Sequence, residues 1–179
     1  MRADLVSKFK VRMPEHLFLD EDAVFCLYLY EHCRKVEFDS HHIYQYEVRD
    51  DSFCRKFSDV AVRMLPEILK EQEKYIDRYH PGDREYIAAN DNAVFAWFNE
   101  AEDHYFFNEG NRSSFYEVYQ QYKKLLLEPT VRKHIRDIQF SEISSNMRKI
   151  RFAFYKRPSL LLFILYYLTK VKKNNDETA

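Results

Sequence analysis

Glycine is nearly absent from this chain, with two residues among 179, where average usage would supply about a dozen. Most tight β-turns need left-handed backbone positions that glycine adopts most easily, so its scarcity disfavours an all-β fold. Gly82 and Gly110 are too far apart to form a GxGxxG or GxxxxGK[ST] loop. The sequence therefore excludes nucleotide-binding enzymes of those two designs.

Cysteine is also scarce, and an apolar leader is missing. Cys26, Cys33 and Cys54 are odd in number and form no CxxC pair, so the sequence specifies neither a disulfide framework nor a zinc ribbon. The first residues carry charges but no apolar run of the kind that a secretory signal requires. We therefore expect an intracellular, cytoplasmic protein in a reducing compartment.

What the chain does have is enough apolar residues for one globular domain. Hydrophobic residues make up 46% of its 179 residues, and a chain of this size can bury a core without help from a metal or a disulfide. We predict a single all-α domain over residues 1–172, followed by a disordered tail over residues 173–179.

Helical patterns cover most of the chain and predict about seven or eight helices. Ser114 and Glu117 form a capping box for the best supported one, which ends before Pro129. The other predicted helices are 21–37 capped by Asp20, 52–79 kinked or divided at Pro66, 93–107 capped by Asp91 or Asn92, 131–140, 145–156 and 159–172. Residues 35–48 alternate apolar and polar side chains, which predicts either a small β-hairpin or a helix capped by Ser40.

Charge is unevenly distributed, although the net charge is only −1. Residues 83–117 carry eight acids and two bases, whereas residues 123–173 carry three acids and thirteen bases. Local fields decide what a surface attracts, so this segregation is the most informative feature of the sequence.

Nine residues of the basic part form a candidate binding set for a protein partner or a nucleic acid. Bases would contact phosphates, and the aromatic rings among them would stack on unpaired nucleobases. Two other interpretations remain open: the set binds an acidic protein partner, or it docks on the protein's own acidic helices. The set is Arg132, Lys133, Arg136, Arg148, Lys149, Arg151, Tyr155, Lys156 and Arg157.

Residues 160–168 form an uninterrupted apolar run, and basic residues flank it within the stretch 157–173. A nine-residue helix is about 14 Å long and cannot cross a hydrocarbon core of about 30 Å. Three interpretations remain: the docking face of a core helix, an interface with a partner or a second copy, or peripheral contact with an anionic membrane surface.

Two residue pairs are weak candidates for chemistry. Glu100 and His104 share a helix face, which suits either a pair of metal ligands or a solvated ion pair. Arg34 and His41 are separated by six residues, which matches the spacing of the Arg and His of HEPN-type ribonucleases, an all-helical family. Chance supplies about one or two such matches in a chain of this composition, so the spacing does not identify the family.

Enzymatic activity has no positive support, because the sequence contains neither HExxH nor GxSxG. We predict no cofactor and no metal. We expect a non-catalytic interaction protein, such as a small regulator, adaptor or inhibitor, that binds a protein partner through a charge-segregated, aromatic-rich surface. The alternatives are a nucleic-acid-binding protein that uses residues 132–157 and a HEPN-like ribonuclease.

Overall fold

The computed structural model describes residues 3–37, 40, 41, 47, 56–138 and 146–177, and this part of the chain is all helical with no strand. The prediction of a single all-α domain with seven or eight helices is confirmed in its fold class. The helices are α1 (Ala3–Phe9), α2 (Glu21–Tyr30), α3 (Val60–Tyr79), α4 (Arg84–Ala101), α5 (Phe115–Leu126), α6 (Pro129–Asp137), α7 (Asn146–Lys156) and α8 (Leu160–Glu177), and a π-helical segment, Glu102–Phe106, continues α4.

The helix ends with strong local signals lie where the sequence predicts them. Ser114 Oγ accepts a hydrogen bond from the Glu117 N–H at 3.3 Å, and the Glu117 carboxylate accepts one from the Ser114 N–H at 2.7 Å. This reciprocal pair is the capping box that starts α5. Pro129 occupies the first turn of α6, where its missing N–H costs nothing.

The predicted start of α4 near residue 93 is wrong. The helix begins at Arg84, because the Asp83 side chain accepts hydrogen bonds from the N–H groups of Glu85 and Tyr86. Asp91, predicted as a cap, lies in the middle of the helix and bonds a histidine of α6 instead.

Other boundaries also differ from the predicted ones. α2 ends at Tyr30, seven residues before the predicted end, and Asp20 makes no side-chain capping bond although it precedes this helix. α3 begins at Val60 and runs through Pro66 as one helix. α8 runs from Leu160 to Glu177.

The hairpin-or-helix alternative at 35–48 lies mostly outside the described residues. The described part of it, including Lys35–Glu37, has no regular secondary structure.

One large core joins α3 to α8. Aromatic rings dominate its centre, and Phe98, Tyr122, Tyr155, Phe163 and Tyr166 are almost completely buried. Two smaller clusters attach the N-terminal part: Leu17 and Val24 pack on α3, and Val11 packs on the buried face of α2. The core therefore positions α8 on one side of the molecule and residues 9–17 on another.

None of the described helices is both long and apolar enough to cross a membrane.

Candidate partner-binding surface

A buried carboxylate holds α8 against the core. Glu102 begins the π-helical segment and is 0% exposed. Its Oε1 accepts hydrogen bonds from the Tyr122 hydroxyl and, at 3.2 Å, from the Tyr155 hydroxyl. Its Oε2 accepts one from the Tyr166 hydroxyl at 2.7 Å. One acid of the predicted acidic region therefore joins α5, α7 and α8.

Two cations of the basic region neutralise this carboxylate. Arg151 Nε lies 3.3 Å from Glu102 Oε1, and Lys170 Nζ lies 3.1 Å from Glu102 Oε2. Arg151 also donates to Tyr155, Asn99 and the Phe95 carbonyl, so its guanidinium is fully occupied by the protein. A buried charge is tolerated only when it is paired and hydrogen-bonded, and this one meets both conditions.

The cluster is built to keep its tyrosines neutral. Burial raises the pKa of Tyr122 and of Tyr166 well above the ordinary value, and the charge of Glu102 adds to the shift. Burial alone would lower the pKa of Arg151, but Tyr155 and Glu102 outweigh it and raise that pKa. The tyrosines therefore keep their protons and donate hydrogen bonds to the Glu102 carboxylate.

These bonds decide which face of α8 meets solvent. Phe163, Tyr166 and Lys170 point inward, since the first two are buried and the third bonds Glu102. Residues on the opposite side of the same helix turns are apolar and exposed. These are Leu161, Ile164, Leu165 and Leu168, whose exposed fractions are 67%, 37%, 44% and 53%, and we call them the outward face of α8. An apolar stripe of this kind marks an interaction site more often than chance exposure.

A cavity of about 300 Å³ lies beside the outward face. Tyr167 lines it and follows Ile164 by three residues, which connects the cavity to that face. Phe107 and Phe115 form aromatic walls, with ring centroids 5.8 Å and 5.2 Å from the Tyr167 ring. The surface is therefore a helix face with a concave aromatic depression along one side.

Four basic candidates predicted from the sequence are bonded to the protein itself. The Arg132 guanidinium donates to the carbonyls of Tyr155 and Lys156, both at 2.9 Å. Lys133 Nζ lies 2.7 Å from a Glu73 carboxylate oxygen, and Lys156 Nζ donates to the Arg136 carbonyl. Arg151 is the fourth, in the cluster described above.

The remaining members of the set differ in exposure. Tyr155 is fully buried. Arg136, Lys149 and Arg157 are exposed, and Arg136 pairs with the adjacent Asp137 at 3.2 Å. Arg148 lies on α7, and its side chain is outside the described residues. The structure thus brings the set together around α6 and α7 but turns part of it inward.

The weak candidates for chemistry lie elsewhere. His104 Nε2 is 3.0 Å from Glu100 Oε2, with both side chains partly exposed. Arg34 and His41 are both exposed and follow α2. Within the described residues, no group of three or more His, Cys, Asp or Glu side chains is arranged to hold a metal.

Glu102 and His134 are buried polar groups that were not predicted as candidates from the sequence. The only local signal for Glu102 is its place among other acids. For His134, Nδ1 lies 2.6 Å from Asp91 Oδ1 and Nε2 lies 3.0 Å from Glu73 Oε1. The two carboxylates flank opposite edges of the imidazole, so they orient the ring and do not converge on one point.

The chain matches no known protein-family model, no curated protein and no solved structure.

Proposed function

We propose that this protein is a non-catalytic interaction protein that binds an apolar segment of a protein partner across the outward face of α8. The observation that supports this most strongly is the exposure of Leu161, Ile164, Leu165 and Leu168 on one side of a helix whose other side is bonded into the core. Burial of such side chains contributes about 1.5–3 kcal/mol each, so a partner gains most of its affinity there.

The charges around the face favour a partner segment with acidic residues on its flanks. Arg157 is exposed just before α8, and the sequence places Lys172 and Lys173 after the apolar run. Basic residues at both ends attract an occupant of the opposite charge and increase its association rate. An amphipathic helix with acidic ends would pack its apolar side on the outward face of α8 and pair its acids with the flanking bases.

The cavity beside the face favours a protein over a lipid surface. Its walls include Phe107, Phe115 and Tyr167, and side chains that anchor in pockets with aromatic walls dominate protein interfaces. A second copy of this chain is disfavoured, because pairing two outward faces brings basic residues near basic residues whichever way the helices run.

Site-specific photo-crosslinking tests this proposal. A photoreactive phenylalanine analogue replaces Leu165 in the full chain, and adducts formed in cells are identified by mass spectrometry. The matched control carries the same analogue at Leu127, which is 48% exposed but lies in the turn between α5 and α6. We expect an adduct specific to position 165 that maps to an apolar segment flanked by acids, and that Leu161→Asp abolishes.

Three results would overturn the proposal. Equal yields of adduct at positions 165 and 127 would show that the outward face of α8 binds no specific partner. An adduct with a second copy of this chain, together with a dimer in light scattering that Leu161→Asp dissociates, would assign the face to self-association. Flotation with vesicles of phosphatidylserine and phosphatidylcholine, lost in Leu161→Asp, would assign it to a membrane surface.

A further inference from the structure

A second concave site lies between residues 9–16, α2 and α3. Lys10 has φ 54°, and the Val11 N–H bonds the Val6 carbonyl at 3.2 Å, which ends α1 and turns the chain. The segment after this turn packs on α2 through Val11 and on α3 through Leu17. It leaves a cleft of about 320 Å³, at the lower end of the size range of small-molecule sites.

The cleft carries an excess of positive charge. Lys10, Arg12 and Arg78 line it. Among the residues that the structure describes, none offers these three cations a carboxylate within ion-pair distance. Cations that converge on a cleft without an internal partner form a site for an anion.

The one acid in the cleft is already neutralised. Glu71 is 8% exposed, and its Oε1 lies 2.5 Å from Lys74 Nζ and 3.2 Å from His16 Nε2. Because Lys74 pairs with Glu71, the three lining cations remain as the excess charge of the cleft.

Aromatic rings form the rest of the lining. Phe9 and His32 stack with centroids 3.9 Å apart and planes 7° from parallel. The Tyr79 ring meets His32 edge-on at 6.1 Å and lies under the Arg78 guanidinium at 5.1 Å. Faces of this kind bind planar groups by stacking.

We infer that this cleft binds a small anionic ligand that carries a planar ring. The cations contact the anionic group and the aromatic rings contact the planar part. This ligand site is separate from the outward face of α8, and neither depends on the other.

Titration with three probes tests the inference on the purified full chain. Phenyl phosphate contains both parts, inorganic phosphate only the anion, and phenol only the ring. We expect phenyl phosphate to bind with one-to-one stoichiometry in calorimetry, at least about tenfold tighter than either part alone. Arg12→Gln and Arg78→Gln should each weaken it by about tenfold, because each removes one charge-assisted hydrogen bond.

The matched control is Arg112→Gln, which removes an exposed arginine outside the cleft and should leave the affinity unchanged. The inference is overturned if phenyl phosphate shows no saturation, or if phenol binds as tightly, since the rings alone then suffice. If inorganic phosphate binds as tightly as phenyl phosphate, the planar ring contributes nothing to binding, and the inference is again overturned. An unchanged affinity in the Arg12→Gln, Arg78→Gln double variant, folded by circular dichroism, would place the binding elsewhere.

Discussion

The C-terminal half and the N-terminal end of this protein differ in whether their charged side chains have partners within the protein. Around α7 and α8, the buried Glu102 accepts three tyrosine hydroxyls and faces two cations. At the N-terminal end, the half-buried Asp20 has an oxygen, Oδ2, with no hydrogen-bond partner among the described residues. Lys10 and Arg12 nearby line a cleft without a carboxylate partner in the same described part of the chain.

This contrast shows that the number of charges in a stretch of sequence does not tell which of them a ligand can reach. The strongly basic stretch 123–173 commits Arg132, Lys133, Arg151 and Lys170 to internal bonds. The much less conspicuous bases of the N-terminal cleft remain available. Four changes would break or sharpen the comparison.

The largest effect is expected for Glu102→Gln. This substitution leaves the buried Arg151 without its counter-charge and leaves the partly buried Lys170 with Asp103 alone. It should cost about 3–5 kcal/mol of unfolding free energy in urea denaturation. The midpoint of thermal unfolding should fall by about 10 °C for a chain of this size.

The matched control is Glu100→Gln, two residues earlier on the same helical stretch. Glu100 is half exposed, pairs with the partly exposed His104 and lies near enough to Asp20 to raise its pKa, so its loss should change stability by less than about 0.5 kcal/mol. Equal effects of the two substitutions would show that the Glu102 cluster does not hold α8.

A smaller loss is expected for Arg132→Ala. The Arg132 guanidinium bonds the carbonyls of Tyr155 and Lys156 at the end of α7, and leaving these carbonyls without a donor should cost about 2 kcal/mol. Arg136→Ala, one turn later on α6, removes a side chain that is 73% exposed and should be nearly neutral. Urea denaturation of both variants measures the difference, and similar values would mean that the basic face is not docked internally.

A gain of stability is expected for Asp20→Asn. Burial first, and then the charges of Glu100 and Asp22, raise the pKa of Asp20 from 3.8 to about 6. The folded state therefore holds this proton more tightly than the unfolded state, and the contribution of Asp20 to stability falls as the pH rises from about 4 to about 6. Above that range the charged group is simply unfavourable.

At pH 8 the asparagine variant should be more stable by about 1 kcal/mol, a value reduced for the solvent screening of a half-exposed group. The gain should vanish near pH 3, below both pKa values, where both states of the wild-type protein hold the proton. Denaturation at the two pH values measures this, and a gain that is the same at both would contradict the assignment to ionisation.

Local signals account for the parts of the fold that the sequence predicts well. The capping box at Ser114 and Glu117 needs only residues three apart, and the apolar run 160–168 is visible without any tertiary contact. Where two signals compete, the sequence fails: Asp91 and Asn92 resemble caps as much as Asp83 does, and only the packed helix shows that Asp83 makes the bonds.

The candidate sites depend on contacts that the sequence does not show. The donors to Glu102 come from positions 20 to 68 residues away, so neither its burial nor the rotation of α8 follows from the neighbouring residues. The N-terminal cleft could not be predicted for the same reason, because Arg12 and Arg78 line it from different segments of the chain. Local sequence largely decides whether a segment is helical, whereas the whole fold decides which of its side chains are exposed.

The smallest effect is expected for the salt dependence of nucleic-acid binding, which is the alternative function of residues 132–157. Of the nine candidates, Lys133 is exposed but paired with Glu73, and the other three described as exposed are Arg136, Lys149 and Arg157. A single strand that contacts these three should show a slope of log affinity against log salt near −2, since each phosphate contact contributes about −0.7. Filter binding of labelled single-stranded RNA between about 50 and 200 mM salt measures it. A slope of about −4 would mean that Arg132, Lys133 and Arg151 also leave their internal partners to bind phosphates, which would erase the difference between the two ends of the molecule.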